Sequence, residues 1–218
     1  MAVTVDVTGT VLVGASSVTS INYTGITVGA GSNRALIVTL GLGNTALTSG
    51  WTATWDSGGT NQAMTLLKSQ THTSGANNDA GVIFGLRNPT SGLKTLALSW
   101  TTAQFPTVEA ISFNGVDQTS DAAAFPNAIS NNTATINVAS AVGNIPVSLA
   151  VFSSLTAFSQ TNLYFDATSS GADSSASRAA GAASVTFTVT TPAGAQSLLG
   201  VDVAAAGAAD VLMPQIWI

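Results

Sequence analysis

Ser184-Val185-Thr186-Phe187-Thr188-Val189-Thr190 alternates apolar and hydroxyl side chains without a break. A period of two puts Val185, Phe187 and Val189 on one face of an extended strand and the threonines on the other. The same phase recurs through the chain. Leu199/Val201/Val203 follow it; Val147/Leu149/Val151 and Ile136/Val138 precede it. Further upstream stand Ile111/Phe113, Leu96/Leu98/Trp100, Val82/Phe84/Leu86 and Leu36/Val38/Leu40/Leu42. Val3, Val5, Val7, Val11 and Val13 hold one phase, which predicts a long N-terminal strand with a single apolar face.

Breakers separate these runs. GAGSN at 29–33, DSGG at 56–59, SGANND at 74–79, NPTSG at 88–92 and TPAG at 191–194 carry the turn-forming residues. Short strands divided by such turns, with no capped helical period, predict an all-β fold: an antiparallel β-sandwich of jelly-roll type. Residues 115–132 lack alternation and read as a connection crossing between sheets. The Ala-rich stretches 176–183 and 203–209 are broken by Gly181 and Gly207 and read as loop or strand. The expectation is one domain over 1–218, with a docking tail at 211–218.

Composition removes many functions. The 218 residues include no cysteine, one histidine, five cations and ten acids, for a net charge of −5. Thiol chemistry and cysteine–zinc sites are impossible. Glu109 is the sole glutamate, so a two-glutamate glycosidase site cannot be built. Five dispersed cations make no nucleic-acid footprint, and no apolar run reaches the roughly 18 residues of a membrane helix. No cofactor, metal, nucleic-acid or membrane partner is expected. The first residues have no basic and apolar leader pattern, so classical secretion is not expected either.

A few residues stand out as candidates. Glu109 shares a strand face with Ile111 and Phe113. It reads either as an acid with a raised pKa in a pocket or as a structural carboxylate paired with Arg34 or Arg87. Trp51 and Trp55 fall on one strand face: turned outward they stack on sugar rings, turned inward they anchor the core. His72 lies in a polar stretch, Lys68–Ser74, that reads as a loop, and is a poor catalytic or metal candidate. Asn77-Asn78-Asp79 and Asp117…Asp121 carry oxygen ligands but lack the charge density of a calcium loop. The tail Val211–Ile218 is apolar; Pro214, Ile216, Trp217 and Ile218 either close the sandwich or contact another chain.

Asn33-Arg34-Ala35-Leu36-Ile37-Val38, then Trp55-Asp56-Ser57-Gly58-Gly59, Gly85-Leu86-Arg87-Asn88-Pro89 and Ile111-Ser112-Phe113-Asn114-Gly115-Val116-Asp117-Gln118-Thr119 occur in this order. Over roughly residues 30–120 this resembles a β-sandwich module of uncharacterised secreted bacterial proteins and phage structural proteins. The resemblance implies a fold and no active site. It implies a non-enzymatic virion component, such as a capsid decoration, head-spike or tail-fibre subunit. Other virion proteins and copies of the chain itself, as a trimer for instance, are then the expected partners. A carbohydrate-binding or host-adhesion module, extracellular and holding a surface glycan, is the alternative.

Overall fold

A computed structural model describes residues 1–44, 46, 48–74, 77–152, 157–166, 173–190 and 197–207. In chain order the first strands are β1 (Thr4–Thr8), β2 (Leu12–Val13), β3 (Val18–Tyr23), β4 (Thr27–Val28), β5 (Ala35–Asn44), β6 (Thr52–Trp55) and β7 (Gln62–Ala63). Next come β8 (Thr65–Ser74), β9 (Asn77–Arg87), β10 (Gly92–Leu93) and β11 (Leu96–Asn114), then a one-turn helix α1 (Asp121–Ala124). The remainder is β12 (Ile129–Asn131), β13 (Thr135–Ala139), β14 (Ile145–Phe152), β15 (Ala157–Phe158), β16 (Thr161–Asp166), β17 (Asp173–Arg178), β18 (Ser184–Thr190) and β19 (Ser197–Val203). The class read from alternation is the class adopted: an all-β, antiparallel sandwich.

The long strand β11 organises the first half. Its opening residues pair with β3 and β6, and its later residues pair with β5 on one side and β1 and β2 on the other. One strand thus passes from one layer into the next and curls the sheet β7-β6-β11-β5-β9-β8 around a core. Leu36, Val38, Leu40 and Leu42 of β5 meet Leu96, Leu98 and Trp100 of β11 there, with Trp55 and Phe84.

A second core lies on the opposite face of the same sheet. Ala35, Ile37, Ile111 and Phe113 pack against Val147, Leu149 and Val151 of β14 and Leu199, Val201 and Val203 of β19. These two strands belong to the sheet β12-β19-β14-β17-β16. Their alternate residues Ala150, Phe152 and Leu198 face a third core, completed by β13, β15 and β18. Phe158 and Phe187 meet there edge to face, with centroids 6.3 Å apart. Three cores in series leave β5, β14 and β19 covered on both faces. Each fully buried Leu, Val or Phe contributes about 1.5–3 kcal/mol of transfer free energy.

Two local expectations change. The N-terminal valines do not form one strand: β1 and β2 are separated by residues 9–11, with a register shift between Val5 and Val7. Val11 and Val13 are exposed, while Leu12, partly buried, packs against the first core. The 115–132 connection does cross from the first sheet to the second, but it contains α1. Ser120 caps this helix by accepting from the Ala123 N–H at 3.1 Å. Pro126 keeps Phe125 out of helical φ/ψ and ends the helix after one turn. Among the described residues no helix is long and apolar enough to cross a membrane.

Candidate functional site

Antiparallel pairing gathers the sequence motifs into one place. Ala35, the first residue of β5, lies opposite Arg87 at the end of β9 and opposite Phe113 near the end of β11. Asn33, Asn88 and Gly115, each just outside a strand, turn the backbone with φ of 53°, 46° and 76°. The segments 33–35, 87–88 and 115–121 are therefore neighbours, although they are far apart in the chain.

Their side chains are knitted together. Arg34 donates to Gly31 O at 2.7 Å, Pro89 O at 3.1 Å and Asn88 Oδ1 at 3.1 Å. Gln118 Nε2 donates to Arg34 O at 2.9 Å. Arg87 donates through Nε to Asp121 Oδ1 and through Nη1 to Gln118 O, each at 2.6 Å. The Thr65 hydroxyl donates to the other Asp121 oxygen. Together they wall an open cleft of about 530 Å³, lined by Asn33, Thr65, Arg87, Asn88, Gln118 and Asp121 with Leu86 and Ala63.

Asp121 is held below the usual carboxylate range, first by the Thr65 hydroxyl and then by Arg87. An ionised acid tied to a guanidinium is a poor proton acceptor. The cleft's described lining offers amide, hydroxyl, guanidinium and carboxylate groups, which can hydrogen-bond a polar ligand. Asp121 was not recognisable as the partner of Arg87 from sequence. The only local cue was a Ser-Asp pair opening a short alanine run, which marks a helix start.

The pairing expected of Glu109 is corrected. Neither arginine reaches it: Arg34 is spent on turn carbonyls and Asn88, and Arg87 on Asp121. Glu109 is 1% exposed and sits opposite Thr39 in the β11–β5 ladder. Its Oε2 and the Thr39 hydroxyl oxygen have no hydrogen-bond partner. Burial pushes its carboxyl up to about 8. A carboxyl that stays protonated at neutral pH needs no counter-ion, so the cost of burying a charge is avoided by neutralisation.

Of the two orientations open to the tryptophans, Trp55 takes the inward one, which excludes it as a stacking platform. Trp55 is fully buried in the first core, and its Nε1 donates to Thr90 O at 3.0 Å. Trp51 precedes β6 and packs, partly buried, against the same core. No sugar ring reaches the face of Trp55 without opening the core.

The other candidates have structural places. His72 lies in β8 rather than a loop, opposite Asp79, and burial lowers its pKa. Asp117 accepts from the Thr119 N–H at 2.6 Å in a turn. Among the described residues, no three His, Asp or Glu side chains converge as a metal would need. Pro214, Ile216, Trp217 and Ile218, and the rest of the 211–218 tail, lie outside the described residues.

No protein-family model, no curated protein and no solved structure matches this chain.

Proposed function

We propose that this chain is a non-enzymatic structural subunit of a phage virion, a capsid decoration, head-spike or tail-fibre component acting through protein–protein contacts. The observation that carries the reading is where the acids are spent. Asp6 accepts from Gly29 N and the Ser112 hydroxyl, and Asp56 from Thr60 N and the Thr60 hydroxyl. Asp202 accepts from Ser140 and Asn144, and Asp121 from Arg87 and Thr65. These carboxylates fasten turns and layers to one another, which is work for a durable scaffold.

Two surface features support assembly. β8 ends its sheet as a ten-residue strand with a single lysine, little protection for an open edge. Met1 and Leu93 are 76% and 64% exposed, apolar area that a neighbour would cover. The virion setting rests on the resemblance of residues 30–120. Sedimentation tests the reading. A stable multiple of the 21.7 kDa chain, or co-sedimentation with virion shells, is expected. A monomer at every concentration that binds no shell overturns it.

The polar cleft around Arg87 favours glycan binding as a second reading. Its test is a glycan array in which any hit is lost on Gln118→Ala.

A further inference from the structure

We infer that a second cleft, beside Arg178, is the dock for the chain's own segment 208–213, with Asp210 closing on the Arg178 guanidinium. This cleft measures about 330 Å³. Its walls are mainly apolar, with Ala2, Val3, Val142, Ile145 and Ala179 around Arg178, the one cationic side chain among the described residues of its lining. Arg34 and Arg87 use their donors on named acceptors, and Lys94 lies 3.3 Å from Asp56. Arg178 differs: its Nε is buried and has no acceptor. A buried donor left open is costly, so a site holding one favours an acceptor that fits it. Val142, the most exposed large hydrophobic side chain among the described residues, stands in the wall of the same cleft.

The chain leads to this cleft. Val3 N donates to Gly143 O at 2.7 Å, fixing one wall. Ala205 N donates to Asn144 Oδ1 at 2.9 Å, and Asn144 is part of the lining. Gly207 therefore stands two residues from a group bonded to the cleft. Asp210 is three residues further, a reach of about 10 Å in extended chain. The segment reads Ala208-Ala209-Asp210-Val211-Leu212-Met213: one carboxylate followed by three apolar side chains. That order matches a lone guanidinium among apolar walls. Tethering at the rim makes docking intramolecular and raises its effective concentration well above that of a free peptide. Docking of this kind is independent of assembly, because it leaves Pro214–Ile218 for a neighbour.

The chain has no cysteine, so Val142→Cys with Leu212→Cys creates the only pair. On mild oxidation we expect an internal disulfide at monomer mass, seen on a non-reducing gel and as a loss of two hydrogens by mass spectrometry. Adding Arg178→Gln should abolish the crosslinked band, and Arg178→Asp with Asp210→Arg should restore it. Crosslinks only between chains, no crosslink, or a crosslink indifferent to Arg178 overturns the inference. Hydrogen exchange on the otherwise unaltered chain gives a second readout. Amides at 178–181 should exchange faster when residues 208–218 are deleted, and unchanged exchange also overturns it.

Discussion

Arg87 Nε donates to Asp121 Oδ1 at 2.6 Å, joining the last residue of β9 to the first residue of α1. The connection between the first and second sheets is pinned at this point. Phe125, one turn later, can then be delivered into the second core beside Ile83 and Phe113.

Replacing Asp121 with Ala should release that connection. The change deletes acceptors for Arg87 and Thr65 and a first-turn acid of the helix. The pair is partly exposed, which limits its worth, so a loss of about 1–2 kcal/mol is expected. Because the folded carboxyl sits below its ordinary value, this contribution is present near neutral pH and disappears as acid protonates Asp121. Urea unfolding of both proteins at pH 7 and pH 3 measures it: the gap should narrow at the lower pH.

The burial of Glu109 predicts the opposite pH trend. Its carboxyl is raised from 4.5 to about 8, so between those values the unfolded chain is ionised while the folded chain keeps its proton. The folded state then binds more protons, and stability falls as pH rises through that window. Glu109→Gln cannot ionise and should be flatter across it. The variant should match wild type near pH 4 and exceed it by a few kcal/mol near pH 8, since each pH unit crossed in the window costs the wild type about 1.4 kcal/mol. Thermal unfolding at both pH values checks this; a wild-type protein that loses nothing between them would contradict it.

Much of this fold was legible because a strand with one wet face advertises itself. Val185, Phe187 and Val189 are buried, and the threonines beside them are on the whole more exposed, as alternation requires. β5 was read by its even face alone, yet its odd residues Ala35, Ile37, Thr39 and Gly41 are equally buried. Small and hydroxylated residues look solvent-facing in a sequence, but here they allow a second sheet to approach. Glu109 was misassigned for a related reason. Sequence shows that a buried acid needs an answer, but it does not say whether a cation or a retained proton supplies it. The cleft at Arg87 was legible only as scattered motifs, because β-pairing between distant segments brings them together.

Trp55→Ala tests whether this ring serves the core rather than a ligand. The residue is fully buried beside Leu36 and Leu98, and truncation leaves a large cavity. A loss of about 3–5 kcal/mol is expected, with the Thr90 carbonyl left without its donor. Ser184→Ala, at an exposed strand end, should change stability by less than about 0.5 kcal/mol and serves as the control. Equal melting temperatures for Trp55→Ala and wild type would remove Trp55 from the core.

The close approach of the two central sheets is tested at Gly41. A Cβ added there would lie 2.7 Å from the Ser174 Cβ of β17, in the layer above. The Ser174 Cβ is attached directly to the β17 backbone and cannot rotate away, so relief requires the sheets to separate. Gly41→Val should therefore cost about 1–3 kcal/mol by overpacking. Moving the sheets apart would also loosen Val151 and Leu199 in the second core, so the damage should spread beyond the substituted strand. Hydrogen exchange distinguishes this from a local defect. Faster exchange in β14 and β17 as well as β5 is the expected pattern, and a change confined to β5 would argue against close stacking of these layers.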